Sequence, residues 1–412
     1  MKPKKTVEHT PMDQFTTRGD QLLVNDQKLS LLKFRAGQTP FYAYDRSIIS
    51  SKISQFRHAM PSELKLHYAI KANPMPALVG YVAHQVDGLD VASGMELNLA
   101  LNSGMPNQPI SFAGPGKQTK ELEMAIASGI TLNIESFTEL ERIAESCEKI
   151  GIKAKVAVRV NPDFELKSSG MKMGGGAQQF GVDSELIPAL LEKLVAFDLD
   201  YQGLHIFTGS QNLNAESIQL AHKNIFALAT RLQQKTSLAI KTLNIGGGLG
   251  IPYFPGEKPL SLASIGESLQ PLIDDFVREF GKPEIAMELG RYLVGDCGLY
   301  VSSITDIKCS RGAEFAIIDG GLHHHLSASG NFGQVIRKNY PVCIGNKMDQ
   351  PSDVAIQVVG PLCTPLDLLA NKYALPKAEI GDLVVIFQSG AYGYSASPRD
   401  FLSHPQPVEM LV

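Results

Sequence analysis

The stretch HYAIKANP, His67 to Pro74, decides how this 412-residue chain is read. An apolar, strand-like run ends in a lysine, and Ala-Asn-Pro then breaks the chain. Outward from it the same pattern recurs. KLHYAIK (65–71) is followed by the helical PMPALVGYVAHQV, GLDVAS (88–93) by GMELNLALNSG, and ISFAG by TKELEMAIASG. TLNIES (131–136) leads into FTELERIAESCEKIG, and KVAVRVNP (155–162) into a long glycine-rich loop and then DSELIPALLEKLVAF. YQGLHIF (201–207) precedes AESIQLAHKNIFALATRLQQK, KTLNIGGG (241–248) precedes SIGESLQPLIDDFVREFG, and EIAMELG (284–290) comes last. Eight strand candidates, seven followed by a helix, imply a parallel sheet closed as a (β/α)₈ TIM barrel in an α/β chain.

The pattern changes from about Arg291. YLVGDCGLYVSSITDIKC, EFAIIDGG, VAIQVVG and DLVVIFQSG have no long helices between them and read as a mainly antiparallel β-domain. The expected organisation is a segment 1–44 joining that β-domain, a barrel over 45–290 and the β-domain proper over 291–412. A chain of this length is too long for one ordinary core, which agrees with two domains.

Composition narrows the function. Net charge is −4 with no long basic run, which argues against a nucleic-acid partner. No 18 apolar residues run together and the lysine-bearing N-terminus has no apolar stretch after it, so neither a membrane span nor a signal peptide is expected. Five scattered cysteines without a CxxC pair read as reduced thiols of a cytoplasmic protein. His323, His324 and His325 are adjacent, and adjacent side chains converge poorly on one ion, so no metal is expected.

The active site of such a barrel lies at the C-terminal strand ends. Lys71 ends the first strand. Burial there would favour a neutral amine able to form a Schiff base with an aldehyde, while a lysine snorkelling to the rim is the plain alternative. Strand seven ends in Gly246-Gly247-Gly248, where backbone N–H groups can approach a phosphate; a tight turn would need one glycine. Strand eight ends in Glu288-Leu289-Gly290-Arg291: a carboxylate for a ring nitrogen and an arginine for phosphate, or an ion pair between the two. Strand six ends in HIFTGSQ, with Phe207 and Ser210. Lysine, phosphate cradle, carboxylate and flat ring are the parts of a pyridoxal 5'-phosphate site.

HYAIKAN, DVASGMEL, GSQ, GGGLG, ELGRY, GPLCTPLD and GAYGYS, in that order, resemble the alanine-racemase-fold (fold type III) pyridoxal phosphate decarboxylases, which include the diaminopimelate, ornithine and arginine enzymes. The resemblance runs from about residue 40 to the C-terminus. It implies that Lys71 carries the cofactor and that Ser210, Gly247, Gly248, Arg291 and Tyr392 contact its phosphate. It implies further that Glu288 pairs with the pyridine nitrogen. Cys363 is similar to a cysteine donated across a dimer interface that protonates the product, which implies an obligate homodimer with shared active sites.

Two positions depart from the family pattern. The usual H-x-G-S histidine is Phe207 here, in FTGS, with His205 two residues earlier on the same strand face. The acidic residue usual after the cysteine, which holds a substrate's distal amine, is Thr364. The loop SSGMKMGGGAQQFGVD, with Lys172 and Gly174 to Gly176, resembles that of an exosortase-associated subgroup and of decarboxylases acting on aminoacyl groups tethered to carrier proteins. The expectation is therefore a decarboxylase of an amino acid or a carrier-tethered aminoacyl group. An ordinary diaminopimelate decarboxylase, an amino-acid racemase, a non-catalytic cofactor carrier and a lysine-dependent aldolase stand as alternatives.

Overall fold

The computed structural model describes residues 8–165, 171–172 and 174–412. It divides into two compact units. One comprises Lys52–Ile251 and Pro259–Leu293; the other comprises the chain up to Ser51, Pro252–Lys258 and Val294–Val412.

The first unit is the barrel. Its strands are β1 (Leu64–Ala69), β2 (Gly88–Val91), β3 (Ile110–Phe112), β4 (Thr131–Ile134), β5 (Lys155–Asn161), β6 (Asp200–His205), β7 (Thr242–Gly247) and β8 (Glu284–Leu289). All neighbouring pairs are parallel, β8 pairs with β1, and pairing from Thr131↔Lys155 to Ile134↔Val158 closes the ring. The crossover helices are α1 (Pro76–Ala83), α2 (Gly94–Leu101), α3 (Thr119–Ser128), α4 (Phe137–Ile150), α5 (Ile187–Ala196), α6 (Ala215–Gln233) and α7 (Leu262–Phe280). Two of them start on the same device. Ser93 and Ser136 accept from the N–H of Glu96 and Glu139, and those glutamates accept from the backbone N–H of Ala92 and Glu135. A cap of this kind is worth about 1 kcal/mol and fixes where the helix begins.

The period of two divides each strand between the helices and the barrel interior. Along β5, Val156, Val158 and Val160 alternate with Ala157, Arg159 and Asn161, and all six are buried. Polar side chains of neighbouring strands meet inside the barrel, His67 with Asp90, Asp90 with Ser111, Ser111 with Asn133 and Asn244 with Glu288, and His205 reaches Glu288 from one strand further. A barrel filled this way is not the aliphatic plug usual in the fold. It trades packing for electrostatics.

The second unit is β-rich. β9 (Gly298–Ser310), β10 (Ala313–Ile318), β11 (Val342–Ile344), β12 (Val354–Val359), β13 (Leu368–Leu375), β14 (Leu383–Ile386) and β15 (Val408–Leu411) form one sheet with Phe41–Tyr44. Five pairings are antiparallel, and β10–β12 and β15 with Phe41–Tyr44 are parallel. Phe41, Leu299, Val301 and Val385 belong to its core, with Leu22, Leu29 and Leu32 from the N-terminal segment. The sequence pattern misses β13 and β11, and reads as strand the residues Tyr292–Val294, which belong to a short helix, Arg291–Val294. It also misses a helix over Arg46–Ala59, ahead of the first barrel strand. Among the described residues no helix is long and apolar enough to cross a membrane. All five cysteines are free.

Candidate active site

The site is built on the C-terminal ends of the barrel strands. β1 stops at Ala69, and Ile70–Ala72 form a single 3₁₀ turn. Asn73 then fixes the exit: its Oδ1 accepts from Met75 N–H, and its carbonyl accepts from the Tyr68 hydroxyl. Lys71 therefore projects one step beyond the strand. The sequence leads one to expect a buried lysine, and that expectation is wrong, because Lys71 is exposed. A strand end in an open mouth carries a side chain out of the packed layer, so burial is not what singles this lysine out. Its Nζ lies 5.6 Å from the centre of the Phe207 ring.

Glu288 is 8% exposed on β8. His205 Nε2, at the end of β6, lies 3.3 Å from its Oε2, and Asn244 Nδ2 on β7 donates to the same oxygen at 3.4 Å. Burial works to raise the Glu288 carboxyl, but the His205 ring beside it, with Lys71 and Arg159 further off, outweighs burial and holds it well below the usual carboxylate range. His205 is 2% exposed, and neither ring nitrogen completes a well-directed hydrogen bond among the described residues, the approach to Glu288 included. A buried imidazole left in that state marks a place where a polar group from outside the chain fits.

The glycines have a requirement of their own. Gly248 has a φ of +83°, and a Cβ on it would run into the Gly209 carbonyl; a Cβ on Gly247 would run into the Glu288 carbonyl. The run is thus needed for close backbone approach, whatever ligand it serves. Asn212 N–H donates to Gly248 O and Gly250 N–H to Asn212 O, each at 2.9 Å. Segments 209–212 and 246–250 therefore lie side by side, with half-buried Ser210 on one and half-buried Gly247 and Gly248 on the other. Arg291 opens the short helix after β8. These are the barrel residues that could hold a phosphate.

Cys363 and Tyr392 belong to the β-rich unit. Cys363 is exposed on the turn between β12 and β13. Tyr392 is half-buried with a φ of +60°. Asp367, the first carboxylate after Cys363, is 3% exposed and accepts from the backbone N–H of Leu322 and Leu362. His323, His324 and His325 are buried; His323 and His324 lie ring to ring at 3.6 Å, and His325 Nε2 meets Ser389 Oγ at 2.9 Å. Among the described residues no group of three or more His, Cys, Asp or Glu side chains is arranged for a metal.

Sequence reasoning missed a buried ionic layer beneath the long loop. Arg159 on β5 pairs with Glu135 at 3.0 Å, and Lys117 with Glu139 at 2.9 Å. Glu135 also accepts from Gly181 N–H at 3.1 Å, and the Arg159 guanidinium lies 4.8 Å from the Phe180 ring centre. The loop is tied elsewhere too: Met171–Lys172 pair antiparallel with Gly209–Ser210, and Gly175 N–H donates to Asn161 Oδ1. The side chain of Lys172, expected at this entrance, lies outside the described residues. Arg159 was legible, since one charge interrupts the apolar run KVAVRVN.

Known proteins carry the same plan. Residues 46–295 match the family model for the pyridoxal-dependent decarboxylase, pyridoxal binding domain. The chain is 37% identical to the L-glutamyl-[BtrI acyl-carrier protein] decarboxylase of Niallia circulans, over 91% of this chain and 89% of that one. It is 32% identical to the diaminopimelate decarboxylase of Aquifex aeolicus, over 96% and 91%. The crystal structure of diaminopimelate decarboxylase from Helicobacter pylori complexed with L-lysine superposes with a TM-score of 0.81 at 27% identity, covering 93% of this chain and 94% of that one. A lysine at a barrel mouth, a paired buried carboxylate and a glycine-lined cradle fit these relatives, and the chain belongs to the pyridoxal phosphate-dependent decarboxylases of the alanine-racemase fold.

Proposed function

We propose that this decarboxylase acts on an aminoacyl group tethered to a carrier protein, with Lys71, Glu288 and Cys363 as its principal chemical groups. When bound, pyridoxal phosphate supplies an aldehyde for the substrate amine and a ring that takes up the electron pair left by departing carbon dioxide. Lys71 would hold the cofactor through its amine. Glu288, held ionised, would offer a fixed negative charge to the ring nitrogen and help hold its proton. That charge favours decarboxylation over racemisation. Phe207 offers a flat apolar face near Lys71, and His205 sets the position and charge of Glu288. Ser210, Gly247, Gly248, Arg291 and Tyr392 hold the phosphate, by N–H and O–H donation and by charge. Cys363 returns a proton to the carbon that lost the carboxylate.

The observation that carries the substrate assignment is the turn after Cys363. Thr364 cannot balance a cation, and the nearest following carboxylate, Asp367, is taken by the backbone N–H of Leu362 in its own loop and of Leu322. A free basic amino acid or diaminopimelate thus finds no carboxylate there for its distal ammonium, whereas a tethered acyl group needs none. The 37% identity to an enzyme named for a carrier-bound glutamyl group supports the same reading. Exposed Cys363 beside exposed Leu366 supports a homodimer in which each copy completes the other's site. Five free thiols support a cytoplasmic home.

Carbon dioxide loss, followed by mass spectrometry, tests the substrate. Release from glutamyl and other aminoacyl groups on a carrier protein, with little from the free acids, is the expected result. Efficient turnover of free diaminopimelate, lysine, ornithine or arginine would return the enzyme to the ordinary family.

A further inference from the structure

Behind the cradle formed by segments 209–212 and 246–250 lies a histidine that the chemistry does not use. His222, on α6, is 3% exposed, and its Nδ1 has no hydrogen-bond partner among the described residues. It lines a cavity of about 10 Å³ together with Thr208, Gly209, Asn212 and Gly247. That is about the space one water needs, and a water is stable in a cavity only where polar groups surround it. Here the lining includes polar residues, the His222 imidazole with its unpartnered Nδ1 and Thr208, together with Asn212 and two glycines whose backbone carries polar groups. The remaining walls, Ile218, Ile225 and Ile245, are apolar and confine it.

We propose that His222 is a positioning residue for the phosphate end of the cofactor, acting through one buried water that joins its Nδ1 to the 208–212 and 246–250 backbones. The inference rests on the reading that these two segments hold the phosphate. Glycine backbones are free to move, and a cradle of N–H groups binds an anion well only if its donors stay aimed. Asn212 already clamps Gly248 and Gly250 from one side. The bridge fixes the side facing the helix. Burial lowers the His222 pKa to about 4, so the ring stays neutral at working pH and adds no charge to the cradle.

The test is cofactor affinity rather than turnover. Apo-protein would be titrated with pyridoxal phosphate at pH 7.5 and followed by absorbance, with the ³¹P resonance of the bound phosphate as a second readout. His222→Leu should raise the dissociation constant about fivefold to tenfold, the size expected for one well-placed hydrogen bond, and broaden or shift the resonance. His222→Gln, which keeps a polar end, should recover most of the affinity. A purely structural histidine would move the melting temperature of the apo-protein without moving cofactor affinity. Unchanged affinity and an unchanged ³¹P signal in His222→Leu overturn the proposal, provided Ser210→Ala weakens binding in the same assay. If neither variant weakens binding, the cradle reading itself fails. If His222→Leu fails to fold, loss of affinity in His222→Gln comparable to that in His222→Phe overturns the bridge.

Discussion

The two ends of the barrel are both concave and both polar, yet they differ in how their polar groups are satisfied. At the floor, formed by the first residues of the strands, a cavity of about 330 Å³ is lined by Thr131, Asn133, Lys155, Gln202, Asn244 and Glu284 among others. That is a ligand-sized volume. Its inner side chains mostly answer to one another: Asn133 donates to Ser111, Ser111 to Asp90, and His67 lies 3.5 Å from Asp90, whose Oδ2 alone of these atoms completes no hydrogen bond among the described residues. At the mouth, His205 is buried with neither nitrogen hydrogen-bonded among the described residues, Lys71 is exposed, and glycines bring two backbone segments together. Volume alone does not decide where the chemistry lies. The mouth is singled out by an imidazole with both nitrogens unanswered beside an exposed lysine and a glycine-lined approach, since burying a polar atom without a partner costs about 1–3 kcal/mol.

The difference is open to attack at both ends. The largest effect is expected at Lys71. Lys71→Ala should lower carbon dioxide release by about 10³-fold or more and remove covalent cofactor attachment, seen by mass spectrometry after borohydride reduction. The melting temperature of the apo-protein should hardly move, since the side chain is exposed. A variant that still turned over well would remove the mouth's claim to the chemistry. Next comes Glu288→Gln, expected to cost about 10²- to 10³-fold in kcat with cofactor affinity nearly kept, because a neutral amide offers a hydrogen bond but no charge. Equal losses in kcat and affinity would show that Glu288 works as a simple anchor.

At the floor the expectation reverses. His67→Phe leaves the Asp90 carboxylate buried without its ion partner and should lower stability by about 1–3 kcal/mol in urea melts, with kcat within about twofold. A large loss of kcat at unchanged stability would mean that the floor is functional and that the contrast between the ends is false.

The same contrast explains what was legible in the sequence. The eight strands stood out because parallel strands buried on both faces read as apolar runs, and seven of them are followed by a long helix. Lys71, Glu288 and the glycine run stood out because charged or flexible residues interrupt those runs at the strand ends. Lys71's exposure did not, because it depends on one 3₁₀ turn after the strand stops. Nor did the pairing of His205 with Glu288, since β6 and β8 are neighbours only through β7. Arg159, Asp90 and Glu135 carry a sequence signal, but their partners lie on other strands and appear only when the ring closes. In the β-rich unit, β13 escaped because LLANKYAL has an exposed central stretch and lacks a clean alternation.

The smallest effect, and the most direct comparison, is in acid–base behaviour. His67 and His222 are both buried, but their surroundings push them in opposite directions. Burial works to lower His67; the charge and side chain of Asp90, with Glu284 and Glu288, outweigh it and raise the pKa. His222 has no such carboxylate, and burial alone brings it down to about 4. For His67 the folded protein holds the proton more tightly than the unfolded chain. Its stabilising contribution is therefore fully present below the unfolded value of about 6.5 and is lost as pH rises through the folded value. For His222 the unfolded chain takes the proton first. Folding is therefore penalised progressively as pH falls from about 6.5 towards 4, by on the order of 1–2 kcal/mol at pH 5. Melts of His67→Asn and His222→Gln against the parent, between pH 5 and 9, should show curves of opposite slope. The His67 variant should lose most in acid and least in alkali, while the His222 variant should gain on the parent as pH falls. If both differences were flat with pH, the two histidines would be answering to packing alone, and the electrostatic account of the polar interior would have to be given up.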